Sequence, residues 1–194
     1  WGDEGRSTHF DLSPSVELKA GGRFSMTLAP SYFRMDDHSQ QYFFGESEQF
    51  ATIDYRQSSL RTRLNFTATP NLSLQVYAEP FISSIDFSDL RQIGDPKAKE
   101  FDERYVPVEG NPEPFDYTQK QMRMNSVVRW EYRPGSTLYF VWSQDRDDAY
   151  GSNVGSNTGL PSAGSFSPGR DYRTLFERHP KNTFMIKASY WLSL

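Results

Sequence analysis

Apolar and polar side chains alternate along much of this chain. Across 60–68, Leu60, Leu64, Phe66 and Ala68 fall on even positions, while Arg61, Arg63, Asn65 and Thr67 fall on odd ones. Leu72, Leu74, Val76, Ala78, Pro80 and Ile82 alternate with Ser73, Gln75, Tyr77 and Glu79. Phe184, Ile186, Ala188, Tyr190 and Leu192 alternate with Met185, Lys187, Ser189, Trp191 and Ser193. Successive strand side chains point to opposite faces, so a period of two gives each segment one apolar and one polar face. No sustained three-four spacing marks a helix. The pattern predicts seven strands, at 12–20, 23–35, 50–69, 72–86, 121–133, 136–146 and 182–194.

Short and long connections strictly alternate. The short ones are Ala20-Gly21-Gly22, Pro70-Asn71-Leu72 and Pro134-Gly135-Ser136, all built from tight-turn residues. The long ones, 36–49, 87–120 and 147–181, are rich in Asp, Gly, Ser, Pro and Asn, as in 151–157. Three-residue turns would set Glu17 opposite Ser25, Arg63 opposite Glu79 and Glu131 opposite Tyr139. In all three hairpins that parity keeps polar with polar.

Long amphipathic hairpins build either a soluble sandwich or barrel, or a transmembrane barrel whose apolar face meets lipid and whose charged face lines a wet lumen. Long loops alternating with short turns favour the second, as does clustering of aromatics near strand ends (Tyr32-Phe33, Tyr42-Phe43-Phe44, Trp130 with Tyr132, Tyr190-Trp191). The expected fold is therefore all-β, an antiparallel up-and-down transmembrane β-barrel. Bacterial single-chain barrels close with an even number of strands, so seven are expected to be the carboxyl-terminal portion of a larger barrel.

Composition narrows the alternatives. The chain has 194 residues, no cysteine, 15% aromatics and a formal net charge of −4. Mean hydropathy is −0.72, and no apolar run is long enough for a membrane helix. The aromatic content argues against disorder. Without cysteine there is no disulfide framework, thiolate metal site or cysteine nucleophile. Mild acidity gives no reason to expect nucleic acid. The opening Trp1-Gly2-Asp3-Glu4 carries no secretory signal, as expected of a cytosolic protein or of a piece of a mature exported chain.

The chain end is similar to the assembly signal of outer-membrane barrels, which sets a polar residue, a glycine and two apolar or aromatic residues at fixed positions. Lys187, Ser189, Leu192 and Leu194 fill those places, with Ser in place of glycine and Leu in place of the final aromatic. Three stretches resemble the carboxyl-terminal barrel region of bacterial domain-of-unknown-function family 5916: 60–83, 129–144 (RWEYRPGSTLYFVWSQ) and 182–194. The resemblance implies residence in the outer membrane of a Gram-negative cell. In that family an amino-terminal domain similar to family-nine carbohydrate-binding modules precedes the barrel; it is absent here.

The expected lumen-facing set is Glu17, Lys19, Arg23, Arg61, Arg63, Glu79, Arg123, Arg129, Glu131, Arg133 and Lys187, an excess of bases that would concentrate anions. The expected lipid-facing set is Leu60, Leu64, Phe66, Leu74, Val76, Val128, Leu138, Phe140, Trp142, Phe184 and Ile186. Expected partners are outer-membrane lipid, the barrel-assembly machinery and other outer-membrane proteins. The expected role is a pore or transporter for small anionic or glycan-derived solutes, or an anchor for an upstream carbohydrate-binding-like domain. A soluble all-β ligand-binding module is the alternative. A barrel-rim hydrolase using His38 beside Asp36-Asp37 is a third reading; His9 and His179 stand apart from it. The run Asp145-Arg146-Asp147-Asp148 lacks the ligand spacing of a calcium loop. No phosphate-cradling loop, nucleophile elbow or zinc motif is present, so no catalytic residue, cofactor or metal is expected.

Overall fold

In the computed structural model, residues 7–42, 49–109, 116–151 and 165–192 are described. Alternation translates directly into strands: β1 Thr8–Leu12, β2 Val16–Ala20, β3 Phe24–Tyr42, β4 Gln49–Thr69, β5 Leu72–Ile93, β6 Tyr105–Pro107, β7 Tyr117–Arg133, β8 Ser136–Gly151 and β9 Lys181–Ser189. They form one antiparallel sheet in the order β1-β3-β4-β5-β7-β8-β9, with β2 also on β3 and β6 also on β5. The fold is all-β, a meander in which nearly every strand pairs with the next. The sheet is open: no pairing joins β9 to β1 or β2 among the described residues. Closure into a barrel is not shown among the described residues.

β1 and β2 are one strand with a break. Thr8↔Asp36 and Val16↔Leu28 keep the same register on β3, and pairing lapses only at Ser13-Pro14-Ser15. That register carries Pro14 past Pro30, and neither ring nitrogen has an N–H to give the ladder. Likewise β4–β5 pairing lapses at Leu60 and Arg61, beside Glu79 and Pro80, while β5–β7 pairing runs through Pro80↔Met122.

All three turn registers differ from expectation by two residues. Glu17 pairs with Thr27, Arg63 with Tyr77 and Glu131 with Thr137. The first turn sits one residue later, at 21–23, with Gly21 and Gly22 at φ +58° and +67°. The other two are two-residue turns preceded by bulges after Thr67 and Glu131. A slip of two leaves every side chain on its face. The last strand stops at Ser189 rather than at 194, because its partner β8 begins at Ser136 and offers nothing further to pair with. Leu194, Phe43 and Phe44 lie outside the described residues, as do Trp1 to Glu4 and most of 151–157.

Strands also run well past their expected ends: β3 to Tyr42, β5 to Ile93, β7 from Tyr117 and β8 to Gly151. The last long connection holds a helix that the alternation did not reveal, α1 Pro168–Glu177. It packs against β5, β7 and β8. A small apolar cluster of Ala51 and Leu90 with Phe87 and Val108 closes the loop end.

Candidate functional site: the two faces of the sheet

The register sorts the side chains into two faces by parity. On the odd face, Ala29, Arg61, Glu79, Arg123, Asp145 and Lys181 follow one another across the strands from β3 to β9. Charge alternates along this row. Arg61 Nη2 meets Glu79 Oε1 at 3.3 Å, and the Tyr77 hydroxyl donates to Glu79 Oε2. The next row holds Thr27, Arg63, Tyr77, Asn125, Ser143 and Thr183. Nearer the turns lie Arg129, Tyr139 and Lys187, with Arg129 paired to Glu131 at 3.0 Å. Glu17 and Lys19, 3.0 Å apart, lie on β2. Arg23 falls in the first turn and Arg133 beyond a bulge. Apart from Arg133, which the bulge pairs with Ser136 of the other parity, every charge expected to line a lumen on a strand therefore shares this one face, although nothing here shows a lumen. Sequence reading missed Asp11, Asp145, Asp147 and Lys181, which join the same face. With Arg23 in a turn and Arg133 on the other parity, seven bases and six acids of these two sets share the face, which removes most of the expected basic excess.

The even face carries all of the expected lipid-facing residues. Phe24, Phe66, Leu74, Val128, Phe140 and Ile186 form one row, and Met26, Leu64, Val76, Ser126, Trp142 and Phe184 the next. Leu72, Trp130 and Leu138 lie on the turn side, and Leu60, Pro80 and Met122 on the loop side. These side chains do not meet in a dry centre. Phe140 is 42% exposed, Ile186 69% and Phe184 74%. From Trp130 to Met122 is about 27 Å along the strand at ~3.4 Å per residue. At a tilt near 40° that is roughly 21 Å of height, close to the apolar band about 25 Å tall of outer-membrane barrels.

Beyond this band the even face turns mostly polar: Ser58, the fully buried Ile82, Lys120 and Asp148 in one row, Arg34, Arg56, Ser84 and Thr118 in the next, then Asp36, Asp54 and Asp86. Here α1 docks. The Tyr172 hydroxyl and Ser58 Oγ lie 3.1 Å apart. Lys120 Nζ donates to Thr174 Oγ1 at 2.9 Å and pairs with Asp148 at 2.6 Å, and Arg178 meets Asp148 at 2.8 Å. Arg146 donates to the carbonyls of Phe176 and Arg178. Leu175 and Asp171 are fully buried. Burial lifts the Tyr172 phenol above its usual range, with the Ser58 hydrogen bond opposing. Past the band, the Arg56 hydrogen bond holds Asp54 below the usual carboxylate range, whereas burial and then the charge of Asp54 raise Asp86.

A groove of about 650 Å³ opens on the odd face where β1 breaks into β2. Ser31 and Ser59 hydroxyls, 2.8 Å apart, and Tyr55, donating to Gln57 Oε1 at 2.7 Å, line it. Phe33 packs edge-on to Tyr55 at 5.8 Å. Arg61 and Arg63 close one end, Asp11 and Ser13 the other.

The remaining candidates disperse. His38 Nε2 stands 3.6 Å from Asp36 Oδ1 with both side chains well exposed. No hydroxyl is bonded to the His38 ring among the described residues. His9 lies on β1 and His179 follows α1. The acidic run 145–148 is part of β8 rather than a loop. Its carboxylates divide between faces, Asp145 and Asp147 on one and Asp148 on the other, and so do not converge on one cation. Lys187 and Ser189 lie on β9, and Leu192 beyond it. The Trp191 backbone N–H donates to Ser136 Oγ at 3.0 Å, and the Arg133 guanidinium lies 4.0 Å from the Tyr190 ring centroid. No family model, curated protein or solved structure matches this chain.

Proposed function

We propose that this chain forms part of the wall of a bacterial outer-membrane β-barrel, with its even face in lipid and its odd face lining a water-filled interior that admits small polar solutes. One observation carries the reading. The only helix among the described residues covers the mostly polar stretch of the even face, where Ile82 and Met122 are also buried, and leaves most of the apolar band of that face, from Trp130 through Phe140 to Ile186, exposed. A water-soluble fold gains most by covering its apolar surface, at about 25 cal/mol per Å²; here the cover takes in Ile82 and Met122 at the margin and leaves most of the band uncovered. An apolar band facing hydrocarbon needs no cover, while strands projecting beyond the headgroups do gain from one.

Among the described residues the edges at β1/β2 and β9 have no strand partner, and unpaired backbone cannot face lipid. Closure then takes further strands, so this sheet is one portion of a larger barrel. The near balance of charge on the odd face favours a polar passage without strong ion selectivity over the anion pore expected from sequence.

Fractionation tests this. The protein is expected in the outer-membrane pellet, resistant to alkaline carbonate and released by detergent; recovery in the carbonate supernatant contradicts the reading and favours the soluble module. Recordings in planar bilayers then separate pore from anchor: the proposal predicts conductance steps, and a silent bilayer leaves only anchoring.

A further inference from the structure

The groove at the β1/β2 break is a binding site that the membrane reading does not require. We infer that it takes a polyhydroxylated anion of one or two sugar rings, such as a uronic acid. Its volume of about 650 Å³ falls within the range of small-ligand pockets, roughly 300–1,000 Å³. The lining supplies the three kinds of contact such a molecule uses.

Anion recognition comes from Arg63. Its guanidinium lies 5.6 Å from the Tyr77 ring centroid and has no carboxylate partner among the described residues, whereas Arg61 is held by Glu79 at 3.3 Å. Arg61 and Arg63 are two residues apart on one strand face, so their side chains leave the sheet roughly 7 Å from each other. A fork of N–H donors that is not already neutralised suits a carboxylate. Hydroxyl recognition comes from Ser31, Ser59 and Gln57. Each serine hydroxyl can both give and accept, and Gln57, whose oxygen takes the Tyr55 hydroxyl, keeps its amide nitrogen as donor. The third contact is apolar: Phe33 and Tyr55, locked edge to face, offer a rigid wall to a sugar ring. Small hydroxyl side chains at Ser31 and Ser59 leave the room that larger residues would fill.

The test is calorimetric titration of the detergent-solubilised chain with sodium glucuronate, glucose and sodium acetate. Glucuronate is expected to bind, glucose more weakly, and acetate not measurably. Arg63→Gln should weaken glucuronate by about tenfold or more, the loss of a charged hydrogen bond; Arg63→Lys should lose less, and Lys97→Gln, in a distant loop, nothing. Acetate binding as well as glucuronate, no glucuronate binding at all, or an affinity unmoved by Arg63→Gln would overturn the inference. The comparison of ligands in the unaltered chain stands even if a variant fails to fold. Titration in detergent reads the groove alone and carbonate extraction reads the membrane, so the two proposals fail separately.

Discussion

Gly135 turns β7 into β8 with φ at +78°, and a Cβ there would stand 2.9 Å from the Trp191 Cβ. Left-handed backbone costs a side chain about 1–2 kcal/mol. Gly135→Ala is therefore expected to lower unfolding stability by at least that much in denaturant titration, while Gly169→Ala, with nothing within 4 Å, should cost far less. The larger stake lies at Lys120, 2% exposed beneath α1. Its charge is matched by Asp148, which also holds Arg178. Removing one partner of a buried pair costs about 3–5 kcal/mol, whereas replacing both by apolar groups is often neutral. Asp148→Ala should show that loss in denaturant titration, and Lys120→Met with Asp148→Leu should regain most of it. Asp86 differs in sign. Its pKa is higher folded than unfolded, so its contribution favours the fold below the unfolded value and turns against it as pH rises through the folded one. Asp86→Asn should stabilise the protein near neutrality and bring no gain in acid, as melting curves at the two pH values would show.

Helix α1 is the element the sequence concealed. Its apolar residues Tyr172, Leu175 and Phe176 do fall on one helical face, and Leu175 is fully buried, but the stripe spans little more than one turn inside a stretch rich in Gly, Ser and Pro, too short to announce a helix. Pro168 at its start and Asp171 in its first turn were the readable signals. Strands were legible where one face is apolar, because a period of two is then visible: 60–68 and 72–82 are clear. The same strands became illegible beyond the band, as at Asp36-Asp37-His38, where both faces are polar and the cover comes from a helix or from loops. Two of the registers slipped by two since bulges at Thr67 and Glu131 leave no mark in the pattern, and the first because its turn is centred on Gly22 rather than Gly21. The groove could not be read at all, because it depends on Pro14 passing Pro30 across two strands. Truncating the buried helix anchor should free the element without unfolding the sheet. Leu175→Ala, a change that costs roughly 2–5 kcal/mol in a packed site, is expected to expose 165–180 to protease while the strand signal in circular dichroism persists.

At the scale of the whole molecule, one sheet divides two environments. Its odd face carries charges that largely answer one another; its even face carries a largely bare apolar band capped by a helix on the mostly polar end. In lipid vesicles Val76→Arg, in the middle of the band, should destabilise the fold by about 2–4 kcal/mol, the cost of a cation at mid-bilayer. Gln75→Arg, one residue away on the other face, should cost little in the same refolding titration. The chain has no cysteine, so single cysteines at consecutive positions can each carry one spin label without background. The most direct measurement labels Leu74→Cys, Gln75→Cys, Val76→Cys and Tyr77→Cys in vesicles and compares collision with oxygen, which concentrates in lipid, and with a water-soluble nickel complex. Oxygen contact peaking at 74 and 76, and nickel contact at 75 and 77, is the predicted result. Positions 74 and 76 shielded from both reagents, as in a dry protein core, would contradict the account.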